Sequence, residues 1–390
     1  MTLRKPKRKA HRARLRSLRM ELRGTLKERE SLIDGVLSAL VAGEHVFVGG
    51  PPGTAKTMIA EYVNNAITDA SYYYWLLTKF STPEELFGPF SMSGLKADRF
   101  ERVIDHKLPT AHVAFLDECF KANSAILNAL LTLINERRFH NGVNVISCPL
   151  VMMIGASNEL PQGAELEALF DRFLLRYWVQ PIVDRSKLLE MMTEPQAAPT
   201  TTLTLADLGR LRRETDAIPF SDEMVELLLD TKSAVEREGF SASDRRWKKT
   251  MGVMRGYALV SGDSAVTEEH FDLLADMLWR EPQHRPALAK VISKLANPAG
   301  AAAVELLDAA KQVYRTIPLT SSRKEIRDEG KSNEVTALII EANTVFTEST
   351  EKLEALNGGS RQVTEAIKEI ARMHKSTSRF AAKLQGLRLR

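Results

Sequence analysis

The chain has little cysteine and no long hydrophobic run. Its two cysteines, Cys119 and Cys148, are too few for a disulfide framework and lack the spacing of a metal site. We expect both to be reduced thiols in a cytoplasmic protein. No segment approaches the run of about 18 apolar residues that crosses a bilayer, and no apolar core follows the basic N-terminus, as a secretory signal requires. What remains is the composition of a soluble globular protein, long enough for two or three domains.

Positive charge is concentrated at the N-terminus. Residues 1–23 hold ten Lys or Arg and one acid, Glu21, although the full chain carries a net charge of only +4. Two interpretations are open: contact with nucleic acid or an acidic partner, or a solvated segment that is partly disordered or helical with a wet face. We favour the solvated segment because no aromatic residues are interleaved for base stacking. The pattern thus predicts a basic extension over residues 1–25.

Hydrophobic spacing then alternates between helix and strand. Apolar residues recur at helical steps over residues 26–42, 58–66 and 126–136. Short apolar runs predict buried strands at residues 45–48, 72–77, 113–116, 151–155 and 177–179. Strands that alternate with helices indicate an α/β fold with a mostly parallel sheet covered on both faces. Asn141-Gly142, between β-prone arms, predicts a hairpin.

Only helical patterns follow Asp184. We expect several helices over residues 200–285 and two long helices over residues 333–356 and 361–387, separated by Asn-Gly-Gly-Ser. Their three- and four-residue spacing predicts a long antiparallel helical hairpin. Whether this hairpin packs on its own chain or on another is left open.

The loop GPPGTAKT has the form of a phosphate-binding loop. It matches G-x-x-x-x-G-K-[ST], except that Ala55 replaces the last glycine, and it stands between a predicted strand and a predicted helix. We expect a helical backbone at Ala55, which an alanine accepts. Lys56 would contact the β- and γ-phosphates of a nucleotide, and Thr57 would hold Mg²⁺. The residues predicted to bind nucleotide are Gly50, Pro51, Pro52, Gly53, Thr54, Ala55, Lys56, Thr57 and Asp117.

Polar side chains close the next two strands. Asp117 and Glu118 end a buried apolar run, where unpaired charge is costly, so a partner is expected. Asp117 would hold Mg²⁺ through water, and Glu118 would polarise a water that attacks the γ-phosphate. Asn158 follows the next strand and would orient that water. The alternatives are two wet carboxylates at an exposed strand end, and a turn residue at 158.

The order of these elements resembles that of the AAA+ ATPases, and the details are most similar to the RavA ATPases of the MoxR branch. The resemblance covers residues 26–285 and is carried by the strings GPPGTAKT, FSTPEELFGPFS, FLDECFKANSAILNALLTLINERRFHNG, ASNELP, ALFDRFLLR and SDRRWKK. It implies an αβα nucleotide-binding core over residues 26–185 and an all-α lid over residues 186–285. Residues 286–390 then form a C-terminal helical region.

The resemblance also implies roles for single residues. Asn158 matches the first sensor, and Arg172 matches the arginine finger that reaches a neighbouring subunit's γ-phosphate, with Arg176 as the alternative. Arg245 matches the second sensor, with Arg246 as the alternative. ATP and Mg²⁺ are the implied cofactors, and a finger supplied by a neighbour implies a ring, which in similar proteins is a hexamer.

Two functions are compatible with this resemblance. The favoured one is ATP-driven remodelling or assembly of a partner protein, because similar proteins commonly work with a von Willebrand A-domain protein. The alternative is a nucleic-acid-dependent motor or loader, which the basic N-terminus and the hairpin at Asn141-Gly142 would suit. RavA proteins carry a β-rich domain among their C-terminal helices. No pattern for one follows residue 285, so its partner functions, such as binding a lysine decarboxylase, are not carried over.

Overall fold

The computed structural model describes residues 7–194, 197–319, 332–356 and 360–385. The chain divides into two compact units, Met1–Leu288 and Ala289–Arg390. The predicted boundary between a core and a lid near residue 185 lies inside the first unit and stays a prediction. No helix within the described ranges is long and apolar enough to cross a bilayer.

A five-stranded parallel sheet forms the centre of the first unit. The strands in the described residues are β1 (Val46–Gly49), β2 (Ile67–Thr68), β3 (Tyr72–Leu76), β4 (Val113–Asp117), β5 (Arg138–Asn141), β6 (Asn144–Ser147), β7 (Met152–Ser157), β8 (Leu175–Trp178) and β9 (Leu203–Thr204). The sheet has the order β3-β4-β7-β1-β8. Strands β1, β4 and β7 are central and almost fully buried, which explains their unbroken apolar sequences. This topology confirms the predicted α/β fold.

Helices surround this sheet and continue beyond it. They are α1 (Lys7–Thr25), α2 (Glu30–Ala42), α3 (Lys56–Asn65), α4 (Pro83–Phe87), α5 (Met92–Leu95), α6 (Ser124–Glu136), α7 (Ala164–Phe170), α8 (Arg185–Thr193), α9 (Leu205–Asp216), α10 (Asp222–Arg237), α11 (Asp244–Ser261), α12 (Ala275–Leu278) and α13 (His284–Ala296). Helices α2 and α11 lie in close contact. A Cβ at Gly256 would stand 2.6 Å from the carbonyl oxygen of Ser38, so only glycine permits this approach.

The basic N-terminal segment is built into the first unit from residue 7 onward. Helix α1 packs on α2, α9 and α11 through buried leucines, and its opposite face is wet. Cations of α1 pair with acids of the same chain: Arg12 with Glu214, Arg14 with Asp207, and both Arg19 and Arg23 with Asp34. The described part of the basic segment is therefore not a separate extension. Leu15, Leu18 and Leu22 lie between the cations in sequence but share one face of the helix, and that apolar face packs on the rest of the unit. Arg4 and Lys5 lie outside the described residues.

Three local predictions differ from the structure. Helix α2 begins at Glu30 rather than residue 26, because Glu28 has a left-handed backbone with φ +56°. A strand also occurs after Asp184, because β9 pairs in parallel with β2. Each of these two strands has only two residues, which is too short to produce a pattern in the sequence. In the predicted hairpin, Asn141 pairs with Asn144, so the turn is one residue later than expected.

Three helices of the second unit pack together as a bundle, and α13 includes the boundary between Leu288 and Ala289. They are α14 (Pro298–Thr316), α15 (Ser332–Ala355) and α16 (Arg361–Gln385). The two long helices predicted from sequence are α15 and α16, and both pack on α14 of the same chain. Phe346, Leu353 and Ile370 are fully buried in their shared core. The predicted break at residues 357–359 and the predicted helix end at residues 386–387 lie outside the described residues.

Candidate nucleotide-binding site

The glycine-rich loop joins the carboxyl end of β1 to the first turn of α3. Gly50 has φ +140°, and a Cβ there would stand 2.2 Å from the carbonyl oxygen of Val179. Gly53 has φ +77°. Ala55 precedes the helix with φ 68° and ψ 24°, which is left-handed. Our expectation of a right-handed helical backbone at Ala55 was wrong. The geometry there is the one that glycine adopts without strain, which accounts for glycine in the usual pattern.

Lys56 is directed into the site by the first turn of α3. Its ammonium donates hydrogen bonds to the carbonyl oxygens of Gly50 and Pro51, at 2.6 and 3.0 Å, and to Oδ1 of Asn158 at 2.6 Å. The residue is only 8% exposed. Burial lowers the pKa of Lys56, and the nearby Asp117 and Glu118 carboxylates oppose that shift. The lysine thus places positive charge where backbone oxygens, an amide and two acids meet.

The ends of β4 and β7 bring the predicted polar residues together. Nδ2 of Asn158 donates to Oε1 of Glu118 at 2.7 Å, so Asn158 bridges Glu118 and Lys56. Oδ1 of Asp117 accepts a hydrogen bond from the backbone of Glu118 at 2.9 Å. Glu118 itself has φ 52°, which turns the chain sharply at the strand end, and Lys121 lies 3.3 Å from its other oxygen. Adjacent parallel strands explain this meeting, because their carboxyl ends share one edge.

A cavity of about 760 Å³ opens over these residues. One wall is the loop with Thr54, Lys56 and Thr57, together with Asp117, Glu118 and Asn158. The other wall comes from distant segments and combines the apolar Leu26, Pro181, Ile182, Leu188 and Met191 with Thr25, Lys27 and Arg29. A polar end beside an apolar slot suits a phosphorylated ligand with a flat base. No local motif marks the apolar wall, because its residues meet only in the folded chain.

The residues present fit a magnesium ion carried by a phosphate ligand. The Thr57 hydroxyl lines the cavity beside the Asp117 carboxylate, and both are oxygen donors of the kind Mg²⁺ prefers. No cluster of three or more His, Cys, Asp or Glu capable of holding a metal occurs in the part of the chain that the structure describes. One carboxylate plus a hydroxyl, with the rest supplied by phosphate and water, is the usual arrangement for Mg²⁺.

Arg172 and Arg245 do not line this cavity. Arg172 follows α7, and Arg245 lies in the first turn of α11, where it donates to Oδ1 of Asn135 at 2.9 Å. Burial, and then the nearby positive charge of Arg245, lowers the pKa of Arg172. The buried Nε of Arg172 has no hydrogen-bond partner in the described residues. Two neighbouring guanidinium groups thus lie away from their own chain's nucleotide cavity.

The alternatives Arg176 and Arg246 are both buried. Arg176 is 3% exposed and donates to the carbonyl oxygens of Phe170, Phe173 and Trp279. Arg246 is 4% exposed and donates to the carbonyl oxygens of Asp171, Phe173, Leu174 and Met277. Both guanidinium groups are held by backbone carbonyl groups of their own chain. Both also line a second cavity of about 610 Å³, which contains none of the residues predicted to bind nucleotide.

An exposed apolar surface lies on a different part of the first unit. It comprises side chains of residues 80–103 and of the β5–β6 hairpin: Phe80, Phe90, Met92, Leu95, Phe100, Val103, Val143 and Val145. Phe80 and Val143 are at least 90% exposed. The Asn141 side chain joins the two segments, since it accepts from the Arg102 amide at 2.6 Å and donates to the Arg102 carbonyl at 3.1 Å. We call this the apolar surface.

Comparison with known proteins places the chain in a family. Residues 13–207 match the family described as the MoxR domain in the MoxR-vWA-beta-propeller ternary systems, and residues 223–292 match an AAA lid domain. Uncharacterized protein MJ0812 of Methanocaldococcus jannaschii is 39% identical over 287 residues, which are 73% of this chain and 76% of that protein. Uncharacterized protein MJ0079 of the same organism is 37% identical over 286 residues, which are 73% and 75% of the two chains.

A solved structure shares the fold. The crystal structure of "a putative ATPase" from Cytophaga hutchinsonii covers 74% of this chain and 95% of its own, with a TM-score of 0.60 and 17% identity. At that identity the likeness shows the fold alone. The family match spans the loop, both acids and Asn158, and the lid match spans Arg245. The chain belongs to the MoxR branch of the AAA+ ATPases.

Proposed function

We propose that this protein hydrolyses ATP in an oligomeric ring and uses the energy to remodel or help assemble a partner protein. One observation carries the hydrolytic part: Asn158 bridges Lys56 and Glu118 in the 760 Å³ cavity. A phosphate-binding cation, an amide and a carboxylate are thereby within hydrogen-bond reach of one another. Hydrolysis needs these three kinds of group around a γ-phosphate and its attacking water.

Each residue has a distinct task in this proposal. The loop amides and Lys56 bind the phosphates, and the apolar wall takes the adenine. Mg²⁺, held by Thr57 and Asp117, would neutralise charge on the transferring phosphoryl group. Glu118 accepts a proton from the attacking water, and Asn158 orients both. Asn158 thus couples the carboxylate that activates water to the cation that holds phosphate.

We further propose that Arg172 acts on the nucleotide of a neighbouring copy, with Arg245 beside it. Arg172 pairs with Asp171 at 3.6 Å, yet the nearby Arg245 still repels it, and its buried Nε has no partner among the described residues. A phosphate presented by a neighbour would relieve that repulsion. A cation of this kind contributes about 10³–10⁵ in rate, so hydrolysis would require assembly. A ring, with six copies as in similar proteins, would meet that need.

The apolar surface supports a protein partner. Exposed apolar side chains that lie together mark interaction sites more often than solvated surface, and Phe90 and Phe100 of this set are in ring contact. The matched family is named for systems that combine a MoxR domain with a vWA domain and a β-propeller, so a von Willebrand A-domain protein is the proposed partner. The nucleic-acid alternative has less support, because Arg12, Arg14, Arg19 and Arg23 are paired within the chain.

Glu118→Gln tests the hydrolytic role. The amide keeps the size of the side chain but accepts no proton, so we expect ATP to bind normally while hydrolysis falls at least about 100-fold. Nucleotide affinity and ATPase rate would be measured on the same preparation. Glu159→Gln, an exposed acid next to Asn158, is the matched control and should leave both unchanged. Hydrolysis at the original rate in Glu118→Gln would refute the proposed role.

A further inference from the structure

The two long helices of the second unit expose mainly opposite charges, although α16 also exposes Glu365 and Glu369 and α15 also exposes Lys352. Helix α16 carries five exposed cations in steps of three or four residues: Lys368, Arg372, Lys375, Arg379 and Lys383. None of the five makes an ion pair with a residue that the structure describes. Helix α15 exposes five acids, and four of them recur in steps of seven or three residues: Glu334, Glu341, Glu348 and Glu351. Of these, Glu348 alone has a described ion pair, with Lys352 at 3.7 Å. We call these sets the basic face and the acidic face.

Both faces point away from the core of their own bundle. The buried positions of α16 include Ala366, Ile370 and Met373, and a cation follows each of these by two residues. Acids likewise follow the buried Ile339, Phe346 and Ser349 of α15. A step of two residues turns an α-helix by about 200°, which places the charge opposite the buried side chain. The two faces of one copy therefore cannot pair with each other.

The basic face and the acidic face match in length and in surface shape. At about 1.5 Å per residue, the basic face extends over roughly 22 Å and the acidic face over roughly 26 Å. Small exposed residues stand between the charges on both helices: Ala371 and Ser378 on α16, and Ala337 and Thr344 on α15. Small side chains permit two helices to approach closely while long charged side chains reach across on either side.

We propose that the basic face of α16 docks on the acidic face of α15 in a neighbouring copy. The contact joins two different surfaces, so it is heterologous, and repeating it around an axis closes a ring. This inference rests on the proposed function in one respect, namely that copies of the protein assemble into a ring. Nucleic acid is the other polyanion that five cations would suit, but the acidic face on the same bundle would repel it. An array of several ion pairs also gives more than the small contribution of one exposed pair.

Charge reversal tests the contact. One variant carries Lys368→Glu, Lys375→Glu and Arg379→Glu; the other carries Glu341→Lys, Glu348→Lys and Glu351→Lys. Each leaves like charges on both faces, so each alone should raise the concentration needed for self-association at least about tenfold, by sedimentation at low salt. An equimolar mixture should regain the original assembly, because every contact between unlike variants is complementary. Circular dichroism of each variant checks that its helices are retained.

Several results would overturn the proposal. They are normal assembly of either variant alone, or a mixture that fails to assemble although both variants are folded. If the basic-face variant assembles normally but loses salt-sensitive binding to a DNA duplex, the basic face serves nucleic acid instead. Glu305→Lys with Asp308→Lys, two exposed acids of α14, is the matched control and should assemble like the unaltered protein. Sedimentation does not depend on hydrolysis, so failure of the proposed ATPase would leave this test readable.

Discussion

Ala55 combines an alanine side chain with a left-handed backbone in the phosphate-binding loop. That conformation costs about 1–2 kcal/mol for an alanine. Ala55→Gly removes the strain but adds about 0.4–1 kcal/mol of unfolded-state entropy. We therefore expect the free energy of unfolding in urea to stay equal or to rise by up to about 1.6 kcal/mol. Ala55→Val, whose β-branched side chain fits this region worse, should be destabilised. A loss near 1 kcal/mol in Ala55→Gly would contradict the left-handed geometry.

His45 is fully buried just before β1. Its Nδ1 accepts a hydrogen bond from the Met153 amide at 2.9 Å, so the ring is neutral, and Nε2 lies 3.2 Å from the Ile134 carbonyl. The Arg137 guanidinium also contacts Nε2. Burial, and then Arg137, lowers the pKa of His45 well below 6.5. The unfolded chain therefore takes up the proton first as pH falls.

A pH dependence of stability follows from His45. The contribution of neutral His45 to the free energy of unfolding is fully present above the unfolded pKa of about 6.5. It is lost as pH falls below that value, and the free energy of unfolding then falls by at most about 1.4 kcal/mol per pH unit. We expect unfolding free energies in urea between pH 8 and pH 5 to fall more steeply for the unaltered protein than for His45→Gln, which does not titrate. Parallel curves would show that His45 does not titrate differently on folding.

Helix α1 is held by one buried acid that serves two arginines. Asp34 is 3% exposed and accepts from Arg19 at 2.7 and 2.5 Å and from Arg23 at 3.2 and 2.5 Å. Asp34→Ala leaves both guanidinium groups without their acid, so we expect a loss of about 3–5 kcal/mol in the free energy of unfolding and earlier proteolysis in α1. Asp216→Ala, at an exposed acid ending α9, should change stability by no more than about 0.5 kcal/mol.

Because α1 packs on the first unit, a test of nucleic-acid binding should leave this helix in place. Deleting residues 1–23 would expose the partners of Leu15, Leu18 and Leu22, so a loss of DNA binding would report unfolding rather than a lost contact. Replacing Arg16, an exposed cation of α1, leaves those leucines in place. Unchanged DNA binding in Arg16→Ala, beside intact folding, is the result consistent with a helix whose main task is structural.

Mixing two inactive variants tests whether Arg172 acts across a subunit boundary. Arg172→Ala should lose about 10³-fold in ATPase rate, and Glu118→Gln should be inactive for a different reason. In randomly mixed rings, about a quarter of the interfaces join an Arg172→Ala subunit, which keeps Glu118, to a Glu118→Gln subunit, which supplies Arg172. Only these interfaces are complete, so we expect about a quarter of the original rate. Arg237→Ala, an exposed arginine ending α10, is the control and should retain full activity. No recovery in verified mixed rings would place Arg172 outside a neighbour's site.

Much of the fold followed from local order along the chain. Unbroken apolar strands, a glycine-rich loop and polar residues at strand ends are written within short segments, so the parallel sheet and the meeting of Lys56, Glu118 and Asn158 were predictable. The left-handed Ala55 and the buried face of α1 had local signals, namely the glycine of the usual loop pattern and the helical spacing of Leu15, Leu18 and Leu22, but they were not interpreted in that way. The apolar cavity wall was not predictable, because it depends on residues far apart in the chain. For the same reason, only the folded chain distinguishes Arg172 and Arg245 from the buried Arg176 and Arg246.

The double hydrogen bond between Asn141 and Arg102 has a mechanical consequence. It fastens the β5–β6 hairpin to the segment before β4, so a force applied at the tip residue Val143 is shared by two chain segments loaded in parallel. Loaded in parallel, two tethers are stiffer than either alone. The residues of the apolar surface would then move together as one rigid element. Force transmitted to a bound partner would displace that partner rather than bend the hairpin.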